Sequence, residues 1–370
     1  MKKALWLACG VFGGLLAADS PGGDARIYLD STNGTSAFVV YDKGTSTLSR
    51  VASDGRVIAG GRQNAASGAL AVVGGGYGNA ASGTGSVVGG GGGYDGIASN
   101  SVGNSAVGPF STVSGGIRNT ISANGWYATF GGGYGNGCTN GSATVGGGFD
   151  NVAGGLASAI GGGYYNGASG SYATVPGGAG NLASGNYSLA AGRGAIAQYA
   201  GSFVWGDSTA ALIASTAANQ FIARAAGGVT FYSDAAATVG VRLPAGGAGW
   251  SGVSDRNLKE NARPADSAAV LERAAALPIS TWNLKTQDAG VRHMGPMAQD
   301  FHAAFGVGED ATHIGYGDAD GVALAAIQGL YARLRKLEAE NRDLRQRLEA
   351  MERGRAQPES AGVSGKEDGR

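Results

Sequence analysis

The sequence predicts a mainly β protein: a β-solenoid, or β-roll, of about 15-residue repeats, then a small α/β domain, then a parallel C-terminal coiled coil. Three observations predict it. Small and apolar residues recur every fifteen positions from Ile58 to Ala190. Composition breaks at Ser254-Asp255-Arg256-Asn257-Leu258-Lys259-Glu260: 58 of the 71 glycines precede Trp250, and no glutamate precedes Glu260. Beyond the break, apolar residues alternate spacings of three and four, the mark of a heptad seam. Net charge is zero and no basic block precedes the C-terminus, which excludes an electrostatic footprint for nucleic acid. Glycine is abundant without a Gly-X-Y period, which excludes collagen.

The N-terminus reads as a secretory signal over residues 1–18. Lys2 and Lys3 precede an apolar run from Ala4 to Leu16, and Ala17-Ala18 offer small residues for cleavage. The run is too short to span a membrane, and no later segment has that length and hydrophobicity. Leu7-Ala8-Cys9 is a weaker lipoprotein signal, because the apolar run continues past the cysteine. Cys9 and Cys138 are the only cysteines. Loss of the signal would leave Cys138 alone, so the exported chain is expected to hold together without an intrachain disulfide. Residues 19–56 read as an N-terminal β segment.

Residues 57–200 carry the repeats. One apolar column runs Ile58, Val73, Val88, Val113, Phe130, Val145, Ile160, Val175, Ala190. Two residues earlier lies a small column: Ala71, Ser86, Ala128, Ala143, Ser158, Ala173. Spacing by two puts both on one face of a short strand. Glycine pairs or triplets follow, then Asn64, Asn79, Asn136, Asn151, Asn166 and Asn181. Two residues past each asparagine is another small residue: Ala66, Ala81, Cys138, Ala153, Ala168, Ala183. A fixed short period means stacked coils. Glycine and asparagine are expected at the positive-φ turns. The period slips between Val88 and Phe130, which predicts an inserted loop around residues 91–109. Cys138, in an alanine column, is expected to be a small buried side chain. Tyr77, Tyr134, Phe149 and Tyr164 form one aromatic column, and Tyr127, Tyr172 and Tyr187 a second. Such columns stiffen a repetitive surface by stacking or grip a surface glycan. Residues 201–250 read as a β connector of short strands at 202–205, 220–224 and 228–232.

No cofactor or metal is expected. Gly90-Gly91-Gly92-Gly93-Tyr94-Asp95-Gly96-Ile97 fits a calcium nonapeptide, but that pattern works only in tandem. His293, His302 and His313 lack zinc-site spacing. No glycine-rich loop carries a P-loop lysine. From Ile58 to Trp205 the only acids are Asp95 and Asp150, too few for hydrolysis of an external substrate.

Ser254 and Lys259 sit five residues apart on the compositional break. A serine hydroxyl becomes a nucleophile when a base accepts its proton, and a lysine can be that base when desolvated. The same residues also fit a plainer role, with Ser254 capping a helix that begins at Asp255 and Lys259 on its exposed face. Further on, Ile327, Leu330, Leu334, Leu337, Asn341, Leu344, Leu348 and Met351 form the heptad seam of a coiled coil over residues 326–353. With Ile327 at a, the pairs Arg333–Glu338, Glu340–Arg345 and Arg347–Glu352 would attract between parallel chains. The mixed seam does not choose between dimer and trimer. The tail, 354–370, is polar and expected to be disordered.

The repeats Gly74-Gly75-Gly76-Tyr77-Gly78-Asn79-Ala80-Ala81-Ser82-Gly83 and Gly161-Gly162-Gly163-Tyr164-Tyr165-Asn166-Gly167-Ala168-Ser169-Gly170 resemble the head repeats of trimeric autotransporter adhesins. They look still closer to bacterial tail-fibre-like proteins. That resemblance implies a trimeric roll with a surface or fibre role; the autotransporters' membrane β-barrel has no counterpart here. The segment from Ser254 through Leu277-Pro278-Ile279-Ser280-Thr281-Trp282-Asn283 and His293-Met294-Gly295-Pro296-Met297-Ala298-Gln299-Asp300-Phe301 to Gly321-Val322-Ala323-Leu324-Ala325-Ala326-Ile327-Gln328 resembles the C-terminal intramolecular chaperone auto-processing domain of endosialidase tail spikes. The domain it implies is expected over residues 251–325. The resemblance implies a homotrimer in which Ser254 is the nucleophile, Lys259 the general base and Val253–Ser254 the bond cut once. An exported, extracellular or cell-surface location follows from the signal and the fibre likeness.

Overall fold

The computed structural model describes residues 26–30, 37–41, 47–94 and 101–355. The expected signal, Cys9, Asp95 and the tail from residue 356 lie outside the described residues. The chain forms two compact units. One takes the chain up to Val229 together with Leu243–Ala248; the other takes Thr230–Arg242 and Gly249–Arg370.

In the first unit each repeat is one coil of a solenoid. Thr144–Val145 lies parallel between Thr129–Phe130 and Ala159–Ile160. Val152–Ala153 lies parallel between Gly137–Cys138 and Gly167–Ala168. Repetition makes two parallel sheets. One stacks eleven coil strands from Val57–Ile58 to Phe221–Arg224, the other ten from Ala65–Ala66 to Ile213–Ala214. A third edge is tied by single bridges such as Tyr134↔Phe149 and Phe149↔Tyr164. At the N-terminal end, Thr47–Ala52 pairs antiparallel with Val57–Ile58 and occupies the open sheet edge.

The interior is filled by the columns read from the sequence. Val73, Val88, Val113, Phe130, Val145, Ile160 and Val175 are 0–1% exposed, as are Ala81, Ala153, Ala168 and Ala183. Cys138 is buried among them, and burial pushes its thiol up to about 12. That disfavours the thiolate and with it reactivity.

The asparagines depart from expectation. None of the column asparagines has a positive φ. They form a buried ladder instead. Asn151 Nδ2 donates to Gly147 O and Gly163 O, both at 3.0 Å. Its Oδ1 accepts from Asn166 N–H at 3.0 Å and Asn166 Nδ2 at 3.1 Å. Each side chain thus saturates its amide by bridging to the next coil, as a buried polar group requires. Asn104 and Asn119 belong to the same ladder. They were hidden by two insertions. A hairpin of Gly93–Tyr94 with Ser101–Val102 interrupts the stack before Ser105–Ala106 rejoins Ala80–Ala81. Two further residues enter between Ile121 and Thr129, where the Cys138 coil sits seventeen residues on.

The left-handed turns are taken by glycine and by large residues together. Leu70, Phe110, Tyr127, Tyr172 and Tyr187 occupy one turn column with φ of 56–60°. The glycine triplets divide their roles. A Cβ on Gly148 (φ +91°) would overlap Gly163 O of the next coil, and one on Gly146 would overlap Gly161 O. A Cβ on Gly147 meets nothing within 4 Å. The aromatic columns stack face to face: Tyr134 on Phe149 at 5.0 Å, Phe149 on Tyr164 at 5.4 Å, Tyr172 on Tyr187 at 5.2 Å.

The solenoid runs beyond residue 200. Phe203–Gly206 and Phe221–Arg224, expected as connector strands, are its last two parallel coil strands in that sheet. The stack closes on Asp207, whose carboxylate accepts from Ala226 N–H (2.8 Å), Thr209 N–H (3.0 Å) and Arg224 Nε (2.9 Å). Gly228–Tyr232, Gly240–Pro244 and Ser251–Gly252 form a separate three-stranded sheet.

Candidate functional site

The second unit presents Ser254 and Lys259 on opposite ends of a tight turn. Upstream, the chain is held as a strand: Arg242 pairs with Ser251 and Val241 with Gly252, antiparallel. Val253 N–H then donates to Gly240 O at 3.2 Å. Downstream, Asp255 is extended (φ −69°, ψ 132°) and caps a single 3-10 turn, Arg256–Leu258. Its Oδ1 accepts from Asn257 N–H at 2.9 Å and Asn257 Nδ2 at 3.1 Å. Lys259 N–H closes the turn on Arg256 O at 3.1 Å, and the chain becomes extended again at Lys259 (φ −116°, ψ 141°). The outcome is a direct contact: Lys259 Nζ donates to Ser254 Oγ at 2.7 Å. Both side chains are exposed.

This geometry displaces the capping role considered for Ser254. Asp255 is the cap, the turn is three residues long, and the serine hydroxyl is engaged by the lysine. An α-helix could not have made the contact. At about 100° per residue, side chains five apart point roughly 140° away from each other. The function of Asp255 was missed from sequence, although an Asp with Asn two residues on is a recognisable Asx-turn signal.

Three helices follow. Asp266 caps α1 (Ser267–Ala276), accepting from Ala268 N–H and Ala269 N–H at 3.1 Å each. A hairpin pairs Ser280–Trp282 with His293–Gly295, and Trp282 packs on His293 at 4.8 Å. α2 (Ala298–Phe305) ends at left-handed Gly306 and buries Phe301. α3 (Tyr316–Arg355) is a single helix of 40 residues.

α1 packs closely on α3. At Gly329, a Cβ would overlap Ser267 O. Arg333 Nη1 reaches Glu272 Oε1 at 2.8 Å. In heptad terms Gly329, Ala332 and Arg333 are c, f and g, the back and flank of the helix. The a and d residues are left open to solvent, although Leu337 also borders the groove between α1 and α3. Ile327, Leu330, Leu334, Leu337, Leu344, Leu348 and Met351 are 51–64% exposed, and Asn341 is exposed with them. In this single chain three of the six charges expected to pair between chains have ion-pair partners within it: Arg333 with Glu272, Glu340 with Lys336, Arg347 with Asp343. Exposed pairs of this kind are worth under about 1 kcal/mol and exchange readily.

The three histidines are not brought together. His293 Nε2 meets Gln287 Oε1, His302 Nδ1 meets Val307 O, and His313 Nδ1 meets Asp310. The Thr312 hydroxyl and N–H, with His313, hold the Asp310 carboxyl below the usual range. Among the described residues no group of three or more metal-ligating side chains forms. No helix among them is long and apolar enough to cross a membrane.

Comparison with curated proteins finds no match. A family model does match. The peptidase S74 family, described as the chaperone of endosialidase, matches residues 254–307. The match begins at Ser254 and stops before α3, so Gly321–Gln328 lies outside it. Together with the solenoid, it fits a tail-fibre-like protein that carries a C-terminal chaperone domain of the endosialidase type.

Proposed function

We propose that this chain is an exported, homotrimeric fibre or adhesin-like surface protein whose C-terminal domain drives its assembly and then cuts the Val253–Ser254 bond once. The observation that carries the cleavage reading is the 2.7 Å contact between Lys259 Nζ and Ser254 Oγ. The assembly reading rests on the exposed seam of α3, broken once by Asn341.

In this reading the neutral lysine amine accepts the Ser254 hydroxyl proton as Oγ bonds to the Val253 carbonyl carbon. The C–N bond to Ser254 breaks, and the proton passes to the departing α-amine. Water then hydrolyses the Val253 ester, leaving a carboxylate on Val253 and a free hydroxyl on Ser254. A lysine serves as base when desolvation or a neighbouring positive charge favours its neutral form, and in the single chain this pair faces solvent. Apposition of chains along α3 is the natural source of that desolvation, so cleavage would follow assembly.

The test is Ser254→Ala in the full chain, with fragments resolved on a denaturing gel. Wild type should give two fragments and the variant one full-length band, a loss of at least about 10³-fold. Two full-length bands would remove the peptidase and leave the chaperone. A polysaccharide-binding roll with a non-cutting trimeriser is the alternative. It gains no specific support, because the rings of the aromatic columns stack face to face on one another.

A further inference from the structure

We propose that Asp255 is a positioning residue for this cleavage. The inference rests on the self-cleavage reading above and adds to it the device that aligns the two side chains. Ser254 precedes the turn and Lys259 follows it on extended backbone, so their contact depends on how sharply residues 255–258 reverse the chain. The reversal is only one 3-10 turn. Its backbone bonds are long for their kind, 3.2 Å from Leu258 N–H to Asp255 O and 3.1 Å from Lys259 N–H to Arg256 O. A lone turn of this sort has poor hydrogen-bond geometry and little intrinsic stability. The Asp255 carboxylate supplies what it lacks. One oxygen holds both the N–H and the side-chain amide of Asn257. Neighbouring packing does little to hold the turn, since residues 253–260 are all exposed.

Asp255 touches neither reacting atom. It acts through turn geometry, by fixing the orbit on which Lys259 Nζ meets Ser254 Oγ. Two consequences separate this from an electrostatic or acid–base role. The acceptor oxygen matters and the charge does not, so asparagine and serine, which cap equally well, should substitute. The height of the cleavage rate should change while its pH dependence stays.

The experiment follows conversion of the full-length chain to fragments after refolding, across pH 6–10, for wild type, S254A, D255A, D255N and D255S. Native mass and thermal unfolding are measured on each. D255A should cleave about ten- to a hundredfold more slowly, the range set by a lost cap and a group misplaced by ~1 Å. D255N and D255S should stay within about threefold of wild type. All four active chains should share one pH profile and one native mass. Wild-type rates in D255A overturn the proposal. So does a D255N as slow as D255A, or a shifted pH profile, either of which would assign the effect to charge. A D255A of altered native mass would make the residue structural and overturn it too. Absence of cleavage in wild type, or cleavage in S254A, fails the underlying reading instead and is told apart by those two lanes alone.

Discussion

The two units solve the same problem in opposite ways. In the solenoid every coil completes its neighbour: apolar columns are shut to solvent, each ladder asparagine is saturated by the next, and inner strands are paired on both sides. In the C-terminal unit the apolar inventory faces outward. Phe301 is its one buried large side chain among the described residues, while seven seam residues of α3 are more than half exposed. The first unit is satisfied along its own chain. The second leaves its apolar seam open, the surface that the proposed assembly would cover.

The sharpest way to break the comparison is inside a glycine triplet. Gly148→Ala forces a side chain onto a +91° backbone and into the next coil's carbonyl; it should cost roughly 4 kcal/mol or more. Gly147→Ala, one residue away and open to solvent, should stay within about 0.5 kcal/mol. Thermal unfolding of both variants measures this. A large loss at Gly147 would show that another chain approaches the roll there.

The seam comes next. Leu337→Ala and Leu344→Ala should each weaken assembly by about 2–5 kcal/mol if these leucines are buried between chains. Concentration-dependent native mass reads the effect. Losses below about 0.5 kcal/mol would mark the seam as free surface.

Acid sharpens the contrast least, and at one end only. The Ala226 N–H foremost, then Thr209 and Arg224, hold the Asp207 carboxyl well below the usual carboxylate range. A depressed folded pKa contributes stability that is present above about pH 3.9 and is lost as pH falls through the folded value. Hydrogen exchange at Phe203–Gly206 and Phe221–Arg224 should therefore rise only below about pH 4. Asp207→Asn should abolish that dependence.

Much of the solenoid was legible because its columns are set by a fixed period. Ala143, Val145, Cys138 and Ala153 all lie where spacing put them. What hid was whatever broke the period or depended on the neighbouring coil. Asn104 and Asn119 fell out of register behind insertions. The asparagines passed for turn residues, because most of their bonds run twelve or fifteen positions away. The three glycines of a triplet look alike in sequence and differ only in what a Cβ would strike. At Ser254 the spacing to Lys259 was visible, but serine and aspartate are equally good caps, so the sequence left open which one closes the turn.

Val253 N–H is tied to Gly240 O, with Gly252 and Ser251 paired before it. Scission after Val253 would therefore not create a dangling end. The new terminus would stay zipped to Gly240–Pro244, like a seam finished before the thread is cut. The departing fragment would begin at Ser254, and every residue of the sheet would remain behind with the fibre.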